Sequence, residues 1–180
     1  MSKFRRYRKY SRRNRNRWSS NIQELGTTTI QSTQLGANSY HFTLAFNPTQ
    51  INTAVSQLYT VKNFEVTFAI DLVSTSDVIT DLEDVTAYIM FVPQGMYVTP
   101  DYNLQHPEYI MAYKFLGSPM NDITSSQAQP TKVRTRLSRN LNTGDSVILF
   151  IKYNDTRSSQ TGTAPRFNFH GIARWNTKAN

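Results

Sequence analysis

From Lys62 to Leu72 the chain alternates without a break. Phe64, Val66, Phe68, Ile70 and Leu72 take one set of positions, and Asn63, Glu65, Thr67, Ala69 and Asp71 take the other. Successive side chains of an extended strand point to opposite faces, so this segment is expected to be a strand with one apolar face. Tyr40, Phe42, Leu44 and Phe46 repeat the pattern against His41, Thr43 and Ala45. Val85 to Val92 is apolar on both faces, as in a central strand covered on both sides. Shorter stretches of the same kind run over Gly26–Gln34, Tyr109–Phe115, Thr131–Ser138, Ser146–Tyr153 and Phe167–Asn176.

Turn signals separate these stretches: Leu35–Ser39, Pro93-Gln94-Gly95, Asn142–Asp145 and Asn154–Pro165, with a polar loop over Pro119–Pro130. One segment reads differently. Asn47 resembles an N-cap, Pro48 suits the first helical position, and Ile51, Val55 and Leu58 follow at helical spacing. A short helix is expected over Pro48–Leu58. Eight short strands with turns between them predict an all-β fold, an eight-stranded two-sheet jelly roll. The unequal loops favour that Greek-key arrangement over an up-and-down barrel of the same count.

Charge divides the chain more sharply than any turn does. The net charge is +8, yet Lys3, Arg5, Arg6, Arg8, Lys9, Arg12, Arg13, Arg15 and Arg17 place nine basic residues and no acid in the first seventeen positions. The rest carries eleven basic residues against twelve acidic ones. This predicts two parts: a basic arm, residues 1–20, and a folded domain, residues 21–180. The arm lacks the apolar content to offset the entropy of ordering and is expected to be disordered. Arginine grips phosphate bidentately and is never neutral. Phe4, Tyr7, Tyr10 and Trp18 lie among the cations, and aromatic rings stack on unpaired bases. The arm is therefore expected to bind nucleic acid, single-stranded in particular. The same basic run would serve as a nuclear-localisation signal.

Lys132, Arg134 and Arg136 fall on alternate positions of an expected strand and so share a face. They suit a second phosphate contact, or an ordinary solvated face, or ion pairs. Asp81, Glu83 and Asp84 cluster in an expected loop but match no calcium-binding spacing, and an exposed acidic turn is the simpler reading. His41, His106 and His170 are scattered without ligand spacing. There is no cysteine, which excludes disulfides, thiolate zinc sites and a cysteine nucleophile. No phosphate-binding glycine loop, nucleophile elbow or zinc-protease motif occurs. No catalytic residue, metal or cofactor is expected. No apolar run approaches the roughly 20 residues that span a bilayer, and no apolar stretch follows the N-terminal charges, so a signal peptide is not expected.

The start Phe4-Arg-Arg-Tyr-Arg-Lys-Tyr-Ser-Arg-Arg, followed by eight strands, resembles the small capsid proteins of circular, replication-initiator-encoding single-stranded DNA viruses, such as circoviruses. Gly144-Asp-Ser-Val-Ile-Leu-Phe-Ile and Gly171-Ile-Ala-Arg-Trp-Asn are similar to the closing strands of such capsids. The resemblance implies a viral jelly roll that assembles into a T=1 icosahedral shell of about 60 identical copies. It places the arm inside with the genome, the protein in the virion, and assembly in the host nucleus. About nine arm charges per copy would then neutralise roughly 540 phosphates. The long connections Thr75–Asp84, Pro93–His106 and Asn154–Pro165 are candidates for contacts between copies and for the outer surface, and the sequence identifies no host receptor or attachment factor. Satellite-virus capsids, which package RNA, share this plan. A non-viral nucleic-acid-binding protein with a basic tail is a further alternative.

Overall fold

The long strand read first forms as expected, but with a slip in it. In β3 (Tyr59–Leu72), Val61, Phe64, Val66 and Phe68 are all almost inaccessible, although Val61 and Phe64 have opposite parity. Asn63 adopts a left-handed φ of 55°, and the pairing register shifts between Lys62 and Glu65. The extra residue of this bulge returns the apolar side chains to the same face on both sides of it.

A computed structural model describes residues 18–47, 58–72, 82–117, 130–156, 164 and 166–179. The other strands are β1 (Ser19–Gln31), β2 (Gly36–Phe46), β4 (Leu82–Val92), β5 (Ile110–Gly117), β6 (Thr131–Arg134), β7 (Ser138–Leu141), β8 (Ser146–Asp155) and β9 (Arg166–Ala179). One sheet has the order β1-β9-β3-β6, with β7 also paired to β3, and the other has the order β2-β8-β4-β5. The pairs are antiparallel and nested: β1 with β9, β2 with β8, β3 with β6 and β7, β4 with β5. Successive pairs fall in alternate sheets. That nesting is a double-sheet jelly roll and rules out an up-and-down barrel, in which neighbours in sequence pair.

The expected sixth strand is divided. β6 ends at Arg134 and β7 starts at Ser138, so nine strands follow eight strand paths. The Thr135 backbone N–H turns to the Phe64 carbonyl at 2.8 Å, and the Thr135 hydroxyl takes the Leu137 N–H at 3.1 Å. β1 begins at Ser19, seven residues before the expected start, so two residues assigned to the arm lie in the sheet. Ser19–Glu24 pair with β9 through their backbone, which a polar sequence does not advertise. The expected helix Pro48–Leu58 lies outside the described residues, apart from Leu58, which is in no regular element. A one-turn helix α1 (Tyr102–Gln105) and a 3-10 turn (Pro107–Tyr109) instead occupy the connection read as a loop. Glu83 and Asp84 stand in β4 rather than in a loop, at a bulge where Asp84 has φ of 53°; Asp81 lies outside the described residues.

The main core fills the space between the sheets. Val85, Ala87, Ile89, Val147, Leu149 and Ile151 enter it from one sheet, and Val61, Phe64, Val66, Phe68, Phe167 and Phe169 from the other. The intervening residues of β4 and β8 face outward, yet Met90, Ile148 and Phe150 are buried too. Residues 96–110 lie over them, with Tyr102 only 1% exposed. This segment is pinned by the Lys152–Asp101 ion pair at 3.0 Å. Burial raises the Tyr102 phenol to about 12, helped by Tyr109 and Glu108, so it remains a donor, to the Phe91 carbonyl at 3.4 Å. β4 and β8 are thus covered on both faces, as the Val85–Val92 pattern indicated.

The Phe46 expectation fails. It is 55% exposed, because a register shift between Thr43 and Ala45 turns Leu44 and Ala45 both inward.

Gly171 is the tightest point of the closing strand. A Cβ there would stand 2.9 Å from both the Phe68 Cβ and the Thr67 carbonyl oxygen. Gly171→Ala is expected to lower stability by about 1–3 kcal/mol through overpacking. Thermal or denaturant unfolding measures this, and an unchanged midpoint would contradict it.

Candidate nucleic-acid interface

The register of three strands assembles a basic face that no single segment encodes. Residues facing out from the β1-β9-β3-β6 sheet can be followed row by row, because paired residues stand opposite each other, about 4.8 Å apart. One row reads Glu24, Ile172, Thr67, Lys132. The next reads Ile22, Arg174, Glu65, Arg134. The third reads Ser20, Asn176, Lys62, Ser138. Beyond it, Lys178 stands opposite Thr60 and Asn140. Five cations, Lys62, Lys132, Arg134, Arg174 and Lys178, therefore share one surface with the carboxylates of Glu24 and Glu65.

Glu65 stands between Arg134 and Arg174 in its row and pairs with Lys132, Nζ to Oε1 3.0 Å. One carboxylate thus lies among three cations and is paired with one of them. Exposed pairs of this kind contribute about 0–1 kcal/mol, so they bind the lysine only loosely. Among the described residues neither Arg134 nor Arg174 has an ion-pair partner, and both are exposed. The face keeps an excess of positive charge able to attract a polyanion. Ile22, 66% exposed, and Ile172, 42% exposed, lie between the cations. The face therefore offers apolar surface beside its charge.

The arm joins this surface at its corner. Trp18 precedes β1, and Lys62 Nζ lies 3.8 Å from the centre of its ring. A cation over an indole is attracted to its face. The nine arm cations precede Trp18 directly in the chain and lie outside the described residues.

Of the three cations read as one strand face, Lys132 and Arg134 do stand together on β6. Arg136 lies past the end of that strand, exposed, in the connection to β7. Lys62, Arg174 and Lys178 were missed. Each lies far from β6 in sequence, on β3 or β9, and only the sheet order brings them there. His41, His106 and His170 fall on β2, after α1 and on β9. His106 meets Glu108 at 3.3 Å and His170 meets Asp71 at 3.4 Å. Among the described residues no three metal-ligating side chains converge, and no helix is long and apolar enough to cross a membrane.

No protein-family model and no curated protein sequence matches the chain. Solved structures with some similarity include those of the infectious bursal disease virus Gx strain and Gt strain and of Desmodium yellow mottle tymovirus. The TM-scores are 0.39, 0.40 and 0.33, at 10%, 9% and 13% identity. Each match covers 89% of this chain. It covers 32% of the two bursal disease virus chains, about a third of their length, and 89% of the tymovirus chain.

Proposed function

We propose that this chain is a viral capsid protein, a jelly-roll subunit that self-assembles into a small icosahedral shell of about 60 copies and packages a single-stranded genome, circular DNA in the first instance. The observation that carries this reading is the meeting of two basic elements at one corner of the fold. The arm, with its nine cations, enters the sheet at Trp18, where Lys62 begins a face that continues through Arg174, Arg134 and Lys132. That face is the inner wall of the shell, with the arm reaching into the genome. Lys3, Arg5, Arg6, Arg8, Lys9, Arg12, Arg13, Arg15 and Arg17 contact phosphates along the strand, and Arg136 adds a weaker contact from the β6–β7 connection. Assembly takes place in the host nucleus, where the basic run directs the protein.

The opposite sheet supports the assembly half of the reading. Tyr113 is 68% and Phe115 58% exposed on β5, which is the edge strand of its sheet. Large apolar side chains on an unpaired edge invite association unless they are covered. In the shell, neighbouring copies cover them.

One observation favours a second reading, a non-viral nucleic-acid-binding protein: the folded domain itself carries basic residues on one face. The two readings differ in size. Purified protein is expected to elute in the megadalton range and to show uniform particles by negative-stain electron microscopy, containing nuclease-protected nucleic acid. The triple variant Lys132→Glu, Arg134→Glu, Arg174→Glu is expected to form particles that retain clearly less nucleic acid. Small oligomers at every salt and pH would overturn the capsid reading, and unchanged nucleic-acid content in the variant would remove the basic face from it.

A further inference from the structure

The basic face is interrupted at one place by a groove of about 370 Å³, bordered by Glu24, Thr27, Thr67, Ala69, His170 and Ile172. Its origin is local. The register of β1 against β9 slips between Glu24 and Gly26, so Leu25 turns into the core, and Gly26 stands opposite Gly171. A Cβ on Gly26 would meet nothing within 4 Å, so its missing side chain leaves the sheet bare there, whereas the missing side chain of Gly171 lies against Phe68 on the core side. The volume lies in the range of small-molecule sites.

The lining tells what fits. Most of the surface is apolar, with Ile172 and Pro130 as the exposed apolar side chains of its lining. The His170 imidazole borders it as a flat ring. The Glu24 carboxylate and the Thr27 and Thr67 hydroxyls form its polar part, and among the described residues none of the three has a hydrogen-bond or ion-pair partner. A phosphate is excluded by the carboxylate. A flat, largely apolar molecule with N–H donors on one edge is suited to all of these groups. The groove also opens onto the cations. Lys132 ends the row that holds Glu24, and Arg174 is two residues along β9 from Ile172, about 6.6 Å.

We propose that this groove holds one unpaired guanine of the bound strand, with its N1–H and N2–H donated to the Glu24 carboxylate, while Arg174, Arg134 and Lys132 hold the flanking phosphates. Guanine presents two adjacent donors, which match the two oxygens of a carboxylate. Thymine offers one donor between two carbonyl oxygens, which the carboxylate repels. Single-stranded nucleic acid exposes this edge, and the ring stacks beside His170 and over Ile172. The inference rests on the nucleic-acid reading above and adds base preference to a surface that charge alone would leave indifferent to sequence.

The test uses full-length protein and fluorescence anisotropy at fixed salt. The probes are a twelve-nucleotide thymidine oligomer and the same oligomer with one central guanine, inosine or adenine. The guanine oligomer is expected to bind about fivefold to tenfold tighter than oligothymidine, the low end of a bidentate base contact. Inosine, which lacks the second amino donor, loses most of that gain, and adenine shows none. In Glu24→Gln, a change at an exposed position, the guanine preference disappears, while oligothymidine, relieved of one repelling carboxylate, binds as tightly or slightly more tightly. Equal affinities in the unaltered protein, or a guanine preference that survives Glu24→Gln, would overturn the base site and leave the nucleic-acid reading standing. Failure of every oligomer to bind even at low salt would overturn both.

Discussion

Removing residues 1–17 is expected to abolish most nucleic-acid binding and most of its salt dependence while leaving the folded domain intact. Nine cations neutralising phosphates on a single strand contribute a log–log slope of about −6. Over a fourfold rise in salt, such a slope lowers affinity by about three and a half orders of magnitude. The described strands begin at Ser19, so every backbone pairing among the described residues is retained when residues 1–17 are removed. The five cations of the sheet face remain, partly neutralised by Glu65 and Glu24, and should leave a residual slope of about −2 to −3. A salt titration of full-length and truncated protein on unstructured DNA and RNA of matched length measures both numbers. Equal affinity and equal slope for the two proteins would move the binding site wholly onto the sheet face and put the non-viral reading first.

The largest effect on stability is expected from Phe169→Ala. Phe169 is fully buried on β9, in the sheet that carries the basic face. Its ring lies 5.2 Å from that of Phe68 in the same sheet and 4.6 Å from that of Phe42 on β2, in the facing sheet. This stack is a bridge between the layers. Truncation removes the transfer energy of the ring, opens a cavity and unstacks two neighbours, for a loss of about 3–5 kcal/mol. Against a typical total of about 5–15 kcal/mol, that is enough to leave the domain marginal. Tyr113→Ala, at an exposed position, is expected to change folding stability by less than about 0.5 kcal/mol. Denaturant unfolding of both variants under dissociating conditions checks the contrast. A loss below about 1 kcal/mol for Phe169→Ala would mean that the sheets are not held together at this stack.

Much of this architecture follows from local pattern. The period of two in Phe64 to Leu72 and the unbroken apolar run of Val85 to Val92 determine strand type and cover, because a strand side chain has only two directions available. The absence of cysteine and of ligand spacing, and the charge division at Arg17, are likewise properties of the chain alone, and they carry the arm's proposed role. What periodicity cannot convey is where it slips. The bulges at Asn63 and between Thr43 and Ala45 reverse parity, bringing Val61 and Ala45 inward and turning Phe46 out. A bulge is a property of two strands in register, invisible in either one.

Long-range pairing decided the rest. Ser19–Glu24 form a strand because β9 is there to receive their backbone, not because their side chains demand it. The same pairing places Arg174 beside Glu65 and Glu65 beside Arg134, residues that are remote in sequence. Composition shows how many cations the domain has, and the sequence by itself supplied that number. Electrostatic attraction depends on distance, and distances across a nested antiparallel fold are set by which strands pair. The sequence therefore determined the strands, their apolar faces and the basic arm, and the tertiary structure alone decided that five of the domain's eleven cations gather on one sheet face beside the arm.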